Sequence, residues 1–338
     1  MTRHLTRRAT TWLASLAAVA ALTSFTADDA FAQKRYRFAY DQPKATGYGV
    51  AGDVFSAKLA ELSKGTMLID QFPGAQLGQE PQALQLLKSG DLDFGITSTA
   101  NTATISPQAG VFSLHFLFRN EAHLIKALAD PEVSKAVRTM ISETTQGLHA
   151  LSLATLGFRN IYSKKEIRTL DDMKGLKIRV QATATEDATF PVYGSQTVHM
   201  PFGSVYTSLQ TGVVEAAENS VNVFLVNKHY EVAPVLSMTG HEANNSLIWV
   251  SDKLWSSLTP EQKGWVQAAA DEVSKVEPGK ALELEQQSEK KLTDIGVKIV
   301  KDVKRDAFIK ASAPMLEKLS KELGPHAEKI AKLVQALK

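Results

Sequence analysis

The chain has 338 residues, with 38 Lys and Arg against 36 Asp and Glu and a formal net charge of +2. That balance offers no field for a polyanion and argues against nucleic acid as a partner. Cysteine is absent, which excludes disulfides, thiolate metal sites and cysteine nucleophiles, so stability has to come from packing.

Residues 1–32 place Arg3, Arg7 and Arg8 ahead of an apolar run of 15 residues, "TWLASLAAVAALTSF", and the small-residue stretch "AFA". This is the layout of a secretory signal cleaved after Ala32. The run is shorter than the roughly 20 residues a bilayer span needs, so the expected location is the periplasm, not the membrane.

Strand-like and helix-like segments then alternate. "RYRFAYD" (35–41) reads as a strand, and Val50, Val54, Leu59 and Leu62 recur at helical spacing until Gly65 stops them. "TMLIDQF" is a second strand, "EPQALQLLKSGD" a helix capped by Gly90, and "LDFGITS" a third strand. This βαβαβ order predicts a parallel sheet covered by helices.

After a helical region over 121–146 the pattern resets. "LHALSLA", "LKIRV", "QTVHM" and "VVEAAEN" read as strands with short helices between them, and the tail from Ser251 is almost wholly helical. A run of about 40 residues in that tail would reach about 60 Å as a helix, more than one domain's width. The expected organisation is two α/β domains, 33–155 with about 243–275 and 156–242 with about 276–338. Strand crossings join them, and the long helix lies over both.

Arg179 stands near the end of the strand "LKIRV", where parallel α/β units gather ligands. A buried guanidinium needs a partner, either a carboxylate ligand in a cleft or an internal Asp or Glu. Arg159 follows another strand end and reads as a second cleft cation or a surface arginine. Asn219 ends "AAEN" and reads as a ligand contact or as the cap of the helix that follows. Gln181, two residues past Arg179, points the same way in an extended strand.

The stretches "GLKIRVQ…MPFGSVYTSLQTGVVEAAEN…KHYEVAPVLSMTGH" and "FPGAQLGQEPQALQLLKSGDLDFGI" resemble the solute-binding proteins of tripartite ATP-independent periplasmic (TRAP) transporters. The resemblance implies a two-domain periplasmic binding protein fold, with the ligand in the inter-domain cleft and a long C-terminal helix spanning both domains. It implies a small organic acid as ligand and the membrane permease subunits as partners, with the protein docking peripherally as a monomer. Arg179 falls on the family's carboxylate clamp, Arg159 on a second arginine position and Asn219 on the amide position. Glu80 falls on a cleft-facing position; Asp41, Gln42, Thr97 and Ser98 on the opposite wall. The loop "DQPKATGYG" departs from the usual pattern.

Gln181 and Glu80 suit hydroxyl groups, which favours a sugar acid such as a uronate or aldonate. A C4-dicarboxylate, a keto or aromatic acid, or a sensor role are the alternatives. His241 and Asn245 lie where the chain crosses back and are further candidates, or ordinary loop residues. No nucleophile elbow and no HExxH spacing occurs, and His115 and His123 have no third ligand near them in sequence. No enzymatic activity, cofactor or metal is therefore expected.

Overall fold

The computed structural model describes residues 33–338; the secretory signal and its cleavage point lie outside the described residues. Strand β1 (Lys34–Ala39) leads through α1 (Gly47–Leu62) to β2 (Met67–Phe72), and α2 (Glu80–Ser89) leads to β3 (Phe94–Ser98). β1 lies between β2 and β3 and is parallel to both. Helices α3 (Thr99–Thr102), α4 (Glu121–Ala129) and α5 (Pro131–Thr144) precede the 16-residue strand β4 (Leu148–Ser163).

The second half repeats the arrangement with β5 (Lys177–Val180), α6 (Ala184–Thr189), β6 (Gln196–His199), α7 (Val205–Thr211) and β7 (Ala216–Asn219). β5 is parallel to both β6 and β7. Then come α8 (Val221–Val226), the 17-residue strand β8 (Val235–Ser251), α9 (Asp252–Ser257), α10 (Pro260–Asp294), β9 (Lys298–Val300), α11 (Arg305–Glu322) and α12 (Pro325–Ala336).

The parallel expectation holds only within each half. β4 and β8 are antiparallel to each other, to β7 and to β3 respectively, and they join all strands into one mixed sheet ordered β2-β1-β3-β8-β4-β7-β5-β6, with β9 beside β8. Sequence reading ended the first crossing strand too early and missed the second. Polar residues break the apolar alternation there: Thr155, Arg159 and Asn160 in one strand, and His241 to Ser246 in the other. Most of them remain in register with a neighbouring strand: Thr155 with Asn245, Arg159 with Glu242, Asn160 with Asn219 and Ser246 with Ser98.

Four apolar clusters cover the two faces of the two halves. In the first half, Phe38, Phe55 and Phe94 pack with Val266 and Val273 of α10. On its other face Leu84, Phe112, Val137 and Trp249 pack with Ile330 and Val334 of α12. In the second half, Ile178, Val180, Phe190 and Phe308 fill one face and Leu209, Phe224 and Leu292 the other. α12 thus packs on the first half, where 276–338 was expected with the second. The apolar stripe of α12 seals the open face of α5.

α10 is 35 residues long, about 52 Å at 1.5 Å per residue, and touches α1, β4, α4, α8 and β9. Its start carries a capping box, in which Thr259 Oγ1 accepts from the Gln262 amide and Gln262 Oε1 accepts from the Thr259 amide. Two buried glutamates bind it to the crossing region. Glu277 accepts from the Thr155 amide at 3.0 Å, and Glu285 accepts from the amides of Val221 and Asn222 at 2.9 and 2.7 Å.

Gly157 sits at the register irregularity of β4 with φ +96°, and a Cβ there would meet the Glu285 side chain at 2.6 Å. Gly157→Ala therefore lowers unfolding free energy by about 1–3 kcal/mol in urea titrations. Gly264, exposed in α10 with no atom within 4 Å of an added Cβ, gives the opposite sign: Gly264→Ala raises stability by about 0.5–1 kcal/mol. Equal effects from the two would contradict this reading of the crossing.

Candidate functional site

Side-chain alternation sorts the two central arginines. Ile161, Ile178, Val180 and Ala216 belong to one core cluster of the second half, and Tyr162 and Ala217 to the other. With a period of two, Glu218 shares the first face while Arg179 and Asn219 share the second.

Arg159 is 1% exposed and occupied. Its Nε and Nη2 donate to the Glu218 carboxylate in a fork, Nη2 also donates to the Glu218 carbonyl at 3.0 Å, and Glu242 Oε2 lies 3.5 Å from Nε. Glu218 was quoted in the sequence but not assigned; its place beside Asn219, opposite a buried arginine, was the available signal. Burial alone would raise the Glu218 carboxyl, but the Arg159 charge outweighs it and holds the group well below the ordinary range.

Arg179 is 4% exposed and differs in one respect. Nε and Nη2 both donate to the Met200 carbonyl, at 3.2 and 2.9 Å. No carboxylate lies within 4.0 Å of it among the described residues. Burial lowers its pKa, because the charged form loses water that no ion pair replaces. The internal salt bridge weighed for Arg179 is thus found at Arg159 instead.

The walls around Arg179 come from both halves. Asp41 and Gln42 follow β1, Ser98 ends β3, Gln181 follows β5 and Asn219 ends β7; all are buried. Two bonds join the walls: Gln181 Nε2 donates to Ser98 Oγ at 3.0 Å, and Asn227 Nδ2 donates to Gln42 Oε1 at 3.3 Å. Asn219 Oδ1 accepts from the Ser220 amide and from Asn244 Nδ2. Both side-chain atoms of buried Asn245 lack a partner among the described residues.

Two expected wall residues do different work. Thr97 Oγ1 accepts from the Trp249 indole at 2.8 Å, so its side chain is committed to the core. Strand alternation turns it away from the face that Ser98 presents. Glu80 accepts four bonds, from Tyr48 Oη, the Ser98 amide, Ser98 Oγ and Asn101 Nδ2, at 2.6–2.9 Å. That fills the acceptor capacity of a carboxylate, and Glu80 acts as the anchor that sets Ser98 and Tyr48. His241 lies against Arg159's partner, with Nε2 3.7 Å from Glu218 and Nδ1 bonded to Thr239 Oγ1.

Glu218→Gln removes the forked partner of Arg159, leaves Glu242 at 3.5 Å as its remaining carboxylate, and lowers stability by about 1–3 kcal/mol at neutral pH. The Glu218 pKa is depressed in the folded state, so its contribution is present above the ordinary value of 4.5 and is lost as pH falls below it. Denaturation curves of the two proteins should therefore converge on acidification; a gap that stays constant contradicts the pairing.

Residues 38–322 match the family described as bacterial extracellular solute-binding protein, family 7 (DctP). The 2,3-diketo-L-gulonate-binding periplasmic protein YiaO of Escherichia coli is 29% identical over 291 residues, 86% of this chain and 88% of its own length. A TRAP periplasmic solute-binding protein of a Polaromonas species, bound to D-erythronate, superposes with a TM-score of 0.84 at 26% identity, over 90% of this chain and 99% of that one. One from Pseudomonas putida with bound D-glucuronate gives 0.83 at 28%, over 90% and 98%. Both known structures share the two-domain build with a long helix that the sheet and α10 show here. The chain belongs to the bacterial extracellular solute-binding protein family 7, the solute-binding proteins of TRAP transporters, which capture small acids and are not enzymes.

Proposed function

We propose that this protein captures a hydroxylated monocarboxylic acid, a sugar acid of the uronate or aldonate class, in the periplasm and delivers it to the membrane subunits of its transporter. The observation that carries the reading is the asymmetry of the two arginines. Arg159 is neutralised by Glu218, whereas Arg179 faces the cleft with a planar fork and no carboxylate. One free guanidinium matches one ligand carboxylate held bidentately. The second arginine, which a dicarboxylate would need, already holds Glu218.

The remaining polar groups suit hydroxyls. Burial, then the nearby Glu80 charge, raise the Asp41 carboxyl well above its ordinary range despite Arg179 and Gln42, which favours its protonated, hydrogen-bond-donating form. Asn219 Nδ2 and the Asn245 amide supply further donors and an acceptor. D-glucuronate and D-erythronate, held by the similar proteins, belong to this chemical class.

Closure follows from the same groups. Only the closed form brings Gln181 to Ser98 and Asn227 to Gln42, and a ligand that touches both walls favours that form by its extra contacts.

Arg179→Ala should weaken binding of D-glucuronate or D-galactonate by about 2–5 kcal/mol in calorimetry with the fold intact. Arg179→Lys should recover only part of that loss, because it keeps the charge without the fork. In thermal-shift assays sugar acids should raise the melting temperature more than succinate does. Normal binding by the Ala variant, or succinate as the tighter ligand, would contradict the proposal.

A further inference from the structure

Behind the Arg179 cleft, on the Arg159 side, lies a second group of converging side chains. His115 Nδ1 bonds the Tyr193 hydroxyl at 2.9 Å, and His241 Nδ1 bonds the Thr239 hydroxyl at 2.8 Å. With each Nδ1 engaged, the Nε2 atoms remain. His115 Nε2 lies 3.4 Å from Glu186 Oε2, and His241 Nε2 has no hydrogen-bond partner among the described residues. Glu242 Oε2 and Glu186 Oε1 are likewise buried without a partner. One donor atom each from His115, His241 and Glu242 lie within 4.8 Å of one another.

Two imidazoles whose far nitrogens are fixed by hydroxyls, with a carboxylate between them, form the donor set and outer shell of a transition-metal site. Charge points the same way. Glu186, Glu218 and Glu242 place three carboxylates around the single guanidinium of Arg159. Full ionisation leaves two negative charges, which either two protons or one divalent cation offsets.

We propose that His115, His241 and Glu242, with Glu186 as a fourth donor, bind one divalent transition-metal ion of the zinc class. Zinc bonds of about 2.0–2.2 Å set tetrahedral donors about 3.3–3.6 Å apart, so donors now within 4.8 Å of one another close by about 1 Å on binding. The ion ties the segment before α4, which carries His115, to α6 through Glu186 and to the crossing strand β8 through His241 and Glu242. This replaces the expectation of no metal, which considered spacing in sequence alone.

The test uses the mature protein, stripped with EDTA, dialysed and titrated with zinc chloride at neutral pH. One zinc per chain is expected by elemental analysis, and cobalt as a substitute should give the visible band of a four-coordinate site. His115→Ala and Glu242→Gln should weaken zinc at least about 100-fold, and Thr239→Val, which frees one imidazole's orientation, by about 10–100-fold. The surface variant His149→Ala/His199→Ala, whose imidazoles pair with exposed Asp252 and Asp187, should bind as wild type. Absence of stoichiometric zinc overturns the proposal. So does undiminished binding by a Glu242→Gln protein with wild-type circular dichroism, which would leave protons as the occupants of the cluster.

Discussion

The structure depends on a guanidinium that the fold buries and declines to neutralise. Arg179 rests on one backbone carbonyl of Met200, a weak substitute for the water it has lost. Closing the halves over it is costly unless an anion comes with them. On the proposed function, charge burial and domain closure are one equilibrium, which an acid shifts by supplying the missing partner.

The surrounding architecture keeps that arginine free. Glu218 lies on the adjacent strand β7, next to the Ala217 that pairs with Arg179, yet strand alternation sends it to the other face, where Arg159 takes it in a fork. Glu80 could serve as well, but four donors from Tyr48, Ser98 and Asn101 hold both of its oxygens. Burial and the nearby Glu80 charge push the Asp41 carboxyl upward, which weakens it as a counter-ion to the arginine. α10 then fixes the crossing strand β4 through Glu277 and the start of α8 through Glu285.

Much of this was legible in the sequence where local pattern and tertiary role agree. The βαβ units, the capped α2 and the long C-terminal helix follow from apolar spacing and stop signals; the strand-end place of Arg179 left a ligand and an internal salt bridge open, and only the family resemblance implied the clamp. The strand crossings were legible as a join, but the full extent of β4 and β8 was not, because they carry their polar residues in the middle, where the halves meet. Thr97 and Glu80 could be placed near the cleft but not oriented. Which way Thr97 turns depends on Trp249, and what Glu80 accepts depends on three other elements. The histidine and glutamate cluster was invisible for the same reason, since His115 and His241 become neighbours only when β8 returns beside the first half.

A crystal structure of the protein with D-glucuronate or D-galactonate bound tests the central claim most directly. The account predicts the ligand carboxylate in two parallel hydrogen bonds on Arg179, with the Arg159–Glu218 pair intact beside it. A carboxylate seated on Arg159 with Glu218 displaced, or a ligand whose carboxylate avoids Arg179, would contradict it.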